Sequence, residues 1–210
     1  MSRIDAPLLD SININFFNQL LFDTPQLRHF INRTEGFGAP RQANVVFEDK
    51  YVEVTLRRPN EAENDIMLYL HISCKPSDWQ LSSLVQLYNS AFSPLPALQR
   101  LEINDNRQHW QDDIENAQWL DVLHLFASVG DLFLHGELLR LLAPALKELT
   151  GGSVTEVLPA LQGLFLEVPQ LSEPVKKVIG KFISSRQLSG HPIAVHHRDS
   201  RDGGWEVVHP

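Results

Sequence analysis

The chain has 210 residues, 18 Lys plus Arg against 26 Asp plus Glu, a formal net charge of -8, and 43% apolar and 21% charged residues. These are globular values at a length that suits one core, which excludes a disordered chain. The acidic balance excludes general nucleic-acid binding, because phosphates would go unneutralised.

The chain opens on a strand-like frame, Leu9-x-x-Ile12-x-Ile14. Residues 1–15 carry Asp5 and Asp10 and lack the basic start and apolar run of a signal peptide. No segment reaches the ~18 uninterrupted apolar residues of a membrane span. Thr24-Pro25 reads as an N-cap and first helical residue ahead of Leu27, Phe30 and Ile31. Three strand-like runs follow, NVVFED, YVEVTL and DIMLYLHISC, with Val52, Val54 and Leu56 alternating against Tyr51, Glu53 and Thr55. This region predicts a β-hairpin near residues 48–73, inserted into or added to a sheet. Its outward side would carry Tyr69 and His71. Cys74 ends the last run and reads as a small core residue. As the single cysteine it allows no intramolecular disulfide, which suits a reducing compartment, so a cytoplasmic or nuclear location is expected.

Ser77-Asp78-Trp79-Gln80 then starts a helix whose apolar stripe is Leu81, Leu84, Val85 and Tyr88. Beyond it comes a repeat: Leu98-x-x-Leu101-x-Ile103, Val129-x-x-Leu132-x-Leu134 and Leu161-x-x-Leu164-x-Leu166. The first continues to Asn106 and completes the leucine-rich-repeat frame L-x-x-L-x-L-x-x-N. Spacings of 31, 32 and 29 residues link Leu101, Leu132, Leu164 and Ile193, long enough for a strand and a full helix in each unit. Helical stripes fill the gaps: Trp119, Leu120, Leu123, Phe126 and Ala127; then Leu138, Leu142, Ala145, Leu146 and Leu149, where Pro144 predicts a kink or two short helices. Asp112, Asp113 and Glu115 enrich a helix start. Ser172, Glu173 and Pro174 open a last helix carrying Val175, Val178, Ile179, Phe182 and Ile183, which Gly190 closes. The fold class expected is α/β: a leucine-rich-repeat-like solenoid with a parallel sheet lined by helices. Residues 1–197 would form one domain. The polar tail 198–210 would be disordered or would dock by Trp205, Val207 and Val208.

In each x-L-x-L-x unit the leucines face the helices and their neighbours face away. One outward row is then predicted to hold Asn13, Glu102, Phe133, Phe165 and Ala194. The next would hold Asn15, Asn104, His135, Glu167 and His196. Parallel neighbours lie ~4.8 Å apart, which sets His135, Glu167 and His196 side by side. Such a row suits metal binding or acid–base work, or simply a solvated polar strip on a binding face. Phe133 and Phe165 pointing out of the sheet mark an interaction surface, unless the hairpin or the tail covers them. His29, His109 and His124 fall on helices or a loop without evident partners, and the pair His196-His197 reads as exposed. The sequence has no G-x-G-x-x-G, P-loop, G-x-S-x-G, H-E-x-x-H or C-x-x-C motif. Gly151-Gly152 and Gly203-Gly204 read as backbone punctuation.

The blocks HWQDDIENAQWLDVLHLF, ELTGGSVTEVLPALQGLFLE and IGKFISSRQLSGHPIAV, with the upstream ISCKPSDWQLSSLVQLYNSAFSPLPALQRLEI, resemble the C-terminal region of the F-box and leucine-rich-repeat-like protein family of mushroom-forming (basidiomycete) fungi. The likeness spans about Leu9 to Val195. It implies a leucine-rich-repeat substrate-recognition module with no catalytic residues to carry over, and no cofactor or metal is expected. In that family an F-box helical segment precedes the repeats and recruits a Skp1-type adaptor of a ubiquitin ligase. Here Met1 leads almost directly into the first repeat-like strand, so no F-box is expected.

The leading expectation is a protein-recognition module whose partner-binding face holds Glu102, Asn104, Phe133, His135, Phe165 and Glu167, with no nucleic-acid or membrane partner. The alternative is an enzyme or small-molecule binder using His135, Glu167 and His196 under a roof near Tyr69 and His71. A third is a truncated, decayed paralogue without a dedicated surface.

Overall fold

Among the described residues, alternating apolar and polar residues build nine strands: β1 (Ile12–Phe17), β2 (Gln42–Glu48), β3 (Tyr51–Arg57), β4 (Ile66–Ser73), β5 (Arg100–Asp105), β6 (Asp131–His135), β7 (Gly163–Glu167), β8 (Ala194–Arg198) and β9 (Glu206–Val208). Stripes of apolar residues at helical spacing build, among the same residues, five α-helices: α1 (Pro25–Arg33), α2 (Ser77–Ala91), α3 (Asn116–His124), α4 (Leu138–Glu148) and α5 (Glu173–Leu188). The computed structural model describes residues 11–17, 24–33, 40–58, 66–73, 77–92, 95–107, 115–149, 151–168, 171–198 and 204–208. Leu9, Cys74, His109, Asp112, Asp113 and Gly203 lie outside the described residues.

The strands form one sheet in the order β1-β4-β3-β2-β5-β6-β7-β8-β9. Only β3 and β9 run against the others. The architecture is therefore α/β on a mostly parallel sheet. The three strand-like runs form an antiparallel meander, β2-β3-β4, in which β3 and β4 are the expected hairpin and β2 is a third strand joined to it. They sit within the sheet, between β1 and β5.

Repeat spacing becomes register. Leu101 pairs with Leu132, Leu132 with Leu164, and Leu164 with Val195. These four are at most 1% exposed. The frame placed Ile193 opposite Leu164, and the structure puts Val195 there, two residues on. Gly190, at φ +77°, closes α5, and Pro192 offers no N–H. Pairing therefore begins where Ala194 N donates to Gln162 O at 2.8 Å. The two-residue shift moves every side chain of β8 along the face without turning it over.

The apolar face of the sheet is buried throughout, from Val45, Phe47 and Leu70 to Leu101, Leu134 and Leu166, each at 0% exposure. Each helix packs on the next, α1 on α2, α2 on α3, α3 on α4 and α4 on α5, as a layer above that face. α4 continues through Pro144, which stands on its exposed side, so the predicted break into two helices does not occur. Phe47 meets Trp119 edge-on at 5.6 Å, and Tyr88 meets Phe126 at 5.3 Å, tying the sheet to α3 and α2 to the turn after α3. Among the described residues no helix is long and apolar enough to cross a membrane.

Two arginines are buried in this layer. Arg107 is 8% exposed; its Nε donates to Asp105 at 2.9 Å and its Nη1 to Gln80 at 3.2 Å. Arg186, on α5, is at 0% exposure and reaches four backbone carbonyls. Nη1 donates to Val154 O at 3.0 Å and Leu158 O at 3.3 Å, Nη2 to Leu161 O at 3.2 Å, and Nε to His191 O at 3.3 Å. Burial lowers its pKa from the ordinary value, yet a guanidinium stays charged in proteins. The cation thus fastens the 154–161 segment, where Leu158 is held at φ +52°, to the last helix and to the entry of β8. A planar fork of donors is needed to span carbonyls on both sides. We predict that Arg186→Met costs about 2–4 kcal/mol, because the carbonyls lose their donors inside the fold. Arg186→Lys should recover little of this. Urea denaturation reads both, and a lysine variant as stable as wild type would contradict the pin.

Candidate functional site

The second face of the sheet carries the residues that the leucine frame turns outward. In-register parallel pairing lines them up: Glu102 beside Phe133, Phe133 beside Phe165, and Phe165 beside His196. Strands at ~4.8 Å bring flat side chains to stacking distance. Phe133 and Phe165 stack at 4.2 Å between centroids with 5° between planes, and Phe165 and His196 at 4.7 Å and 8°. The Arg100 guanidinium lies 3.8 Å from the Phe133 centroid and closes the row.

A glycine makes room for the row. A Cβ at Gly163 would stand 2.7 Å from the Phe165 ring and 2.6 Å from Asp131 Oδ1. Any side chain there would push the ring out of its stack. The tail lies across the same rings. Trp205 meets Phe165 edge-on at 5.2 Å and Phe133 at 6.0 Å, and the Arg198 guanidinium lies 4.8 Å from its centroid. Phe133 is consequently 8% exposed despite facing away from the core. Of the two readings of these phenylalanines, the structure shows the one in which the C-terminal tail covers them.

Polar residues occupy the neighbouring row. His135 stands between two carboxylates, with Nδ1 3.0 Å from Glu167 and Nε2 3.1 Å from Glu102. The Nε2 contact is close without ideal hydrogen-bond alignment. Arg198 reaches Glu167 at 2.5 Å, and Arg100 lies 3.7 Å from Glu102. Asn104 donates to Asn44 at 2.9 Å and to Glu102 at 3.4 Å. The six residues of the expected binding face, Glu102, Asn104, Phe133, His135, Phe165 and Glu167, therefore share one surface.

His196 departs from expectation. It pairs with Phe165 and stacks on it, while Arg198 takes the place beside Glu167. Ala194 likewise pairs with Gly163 rather than Phe165. The cause is the later start of β8. The row His135, Glu167, His196 becomes His135, Glu167, Arg198, with Glu102 reaching His135 from the neighbouring row. Among the described residues no group of three or more His, Cys, Asp or Glu is placed to hold a metal ion. His196 and His197 are half-buried rather than exposed, and His197 Nε2 lies 3.0 Å from Val168 O.

A second cluster stands on the meander. Tyr69 donates to Glu53, His71 Nδ1 lies 3.4 Å from the same carboxylate oxygen, and Tyr51 lies over His71 at 4.4 Å. Burial, aided by Glu53, raises the Tyr69 pKa well above its ordinary value, which keeps it a neutral donor. Glu53 had no sequence signal beyond its outward place in the strand. A concavity of about 670 Å³ lies elsewhere, among α1, α2 and α3, lined by Arg28, Tyr88, Asp121 and His124. His124 gains a place at that groove, and His29 lies 3.4 Å from Arg33 on α1.

Comparison with protein families, with curated proteins and with solved structures finds no match to this chain.

Electrostatics give the face a pH dependence. His135 is the largest influence on Glu102 and lowers its pKa from the ordinary value; burial opposes this, and Asn104 and Arg100 assist. A carboxyl depressed in the folded state adds stability above its unfolded pKa and loses it as pH falls through the folded one. We predict that Glu102→Gln is less stable than wild type at neutral pH, with the gap closing as the pH falls below the ordinary carboxyl range. Urea titrations across that range measure it. A gap independent of pH would show that ionised Glu102 contributes nothing.

Proposed function

We propose that this chain is a protein-recognition module built on a leucine-rich-repeat-like α/β solenoid, and that its second sheet face receives the partner. The single observation that carries this is the distribution of side chains on that face: stacked aromatics closed by arginines, beside a row of mutually oriented Glu, His and Arg. A face meant only for solvent needs no such order. Aromatic and arginine anchors ringed by polar groups are what protein interfaces use. The repeat spacing and the single layer of helices support the solenoid. The resemblance to the recognition part of F-box proteins fits the same reading.

A second reading, an enzyme or small-molecule binder, draws on His135 between Glu102 and Glu167, a pairing able to move a proton. The groove near α1, α2 and α3 does not serve that histidine, so the binding reading is preferred.

Photo-crosslinking tests the proposal. A benzophenone side chain placed at Asn104 on the open face, and another at Lys177 on the exposed side of α5, report which face meets other proteins in a lysate of the source cell. The expected result is a discrete product from Asn104 that is absent from Lys177 and lost with His135→Ala. The same products from both positions, or none from Asn104, would overturn the reading.

A further inference from the structure

Among everything on the open face, one contact resembles a ligand in its site. We propose that the row Arg100, Phe133, Phe165 and His196 is a preformed seat for the indole of a tryptophan on an extended segment of a protein partner, added antiparallel to β8, and that Trp205 of this chain occupies the seat in competition. This rests on the recognition reading above and names the kind of partner.

The seat is independent of its occupant. Its three rings stand on β6, β7 and β8, whose pairing and buried leucines belong to the main sheet. Gly163 lets Phe165 lie flat, and Arg100 holds the far end of the stack. None of these supports involves the tail. The indole meets the two phenylalanines edge-on, the arrangement in which positive ring edges face negative ring faces. Arg198 adds a cation over the indole while its other contact, to Glu167, keeps it in place.

The occupant, by contrast, is lightly held. β9 has three residues, paired as Val208 with Val195, Val207 with His196 and Glu206 with His197. Trp205 remains 36% exposed and Val207 53%. A strand this short adds little by itself, and strand addition at a sheet edge is a common way to bind an extended peptide. Without β9, the β8 edge presents unpaired backbone groups beside a ready aromatic seat. A partner segment able to make more than three pairs, with a tryptophan at the same offset, would replace the tail.

The test uses the full-length chain and a labelled synthetic peptide with the tail's own sequence, RDGGWEVVHP. In wild type the tethered tail competes at an effective concentration of about millimolar. Trp205→Ala vacates the seat. The peptide is expected to bind the Trp205→Ala protein at least about ten-fold tighter than wild type by fluorescence anisotropy. The same peptide with alanine for tryptophan should lose binding. Adding His196→Ala to the Trp205→Ala protein should also weaken it, and this variant leaves the buried face untouched should Phe165→Ala fold poorly. Equal binding to wild type and Trp205→Ala, equal binding of the two peptides, or no binding to Trp205→Ala would each overturn the seat. Crosslinking from Asn104 with no peptide binding sinks the seat alone, whereas peptide binding without crosslinking sinks the broader recognition reading.

Discussion

The structure depends on parallel pairing in strict register. Leu101, Leu132, Leu164 and Val195 stand opposite one another at consecutive steps and are removed from water together. Each large apolar side chain contributes on the order of 1.5–3 kcal/mol by burial, so a slip of one residue would expose the whole row. That constraint decides the other face as well. Once the leucines look toward the helices, Glu102, Phe133 and Phe165 have no choice but to look away, and to do so side by side. The same pairing thus makes the core and the candidate site.

The two rows on the open face divide the work. The aromatic row offers flat apolar area ordered by stacking, with a cation at the Arg100 end. The polar row offers His135, Glu167 and Arg198 already oriented by one another, with Glu102 reaching in from the aromatic row. Groups held in place beforehand lose less entropy when a partner arrives. Side chains this constrained are of use to binding, and the tail shows that the aromatic row accepts an indole. At the opposite end of the sheet, Tyr69, Glu53, His71 and Tyr51 repeat the theme of mutually held polar groups on the meander.

Much of this was legible from spacing alone. Three copies of L-x-x-L-x-L at near-constant separation predicted which strands run parallel and which residues share a face, because both follow from the two-residue period of a strand. The alternation in YVEVTL and DIMLYLHISC likewise predicted strands and left open whether they were inserted into the sheet or added to it, since pairing order is not a local property. The register of β8 was misplaced by two residues because Ile193 and Val195 fit the frame equally well; the helix stop at Gly190 and the missing N–H of Pro192 decided between them. That single choice separated His196 from Glu167. Arg186 had no sequence signal at all. A lone arginine in an amphipathic helix reads as surface, and only the carbonyls of Val154, Leu158, Leu161 and His191, distant in sequence, show why it is buried. Gly163 was equally silent, since its value lies in the ring of Phe165 above it.

The register itself is open to direct measurement. Through-space NMR contacts on protein labelled at leucine methyls and phenylalanine rings report which side chains are neighbours. The account requires Leu132 methyls to contact those of both Leu101 and Leu164, and the Phe133 ring to contact that of Phe165, on opposite faces of one sheet. Leu132 methyls in contact with the Phe165 ring, or absent contacts among the three leucines, would contradict it.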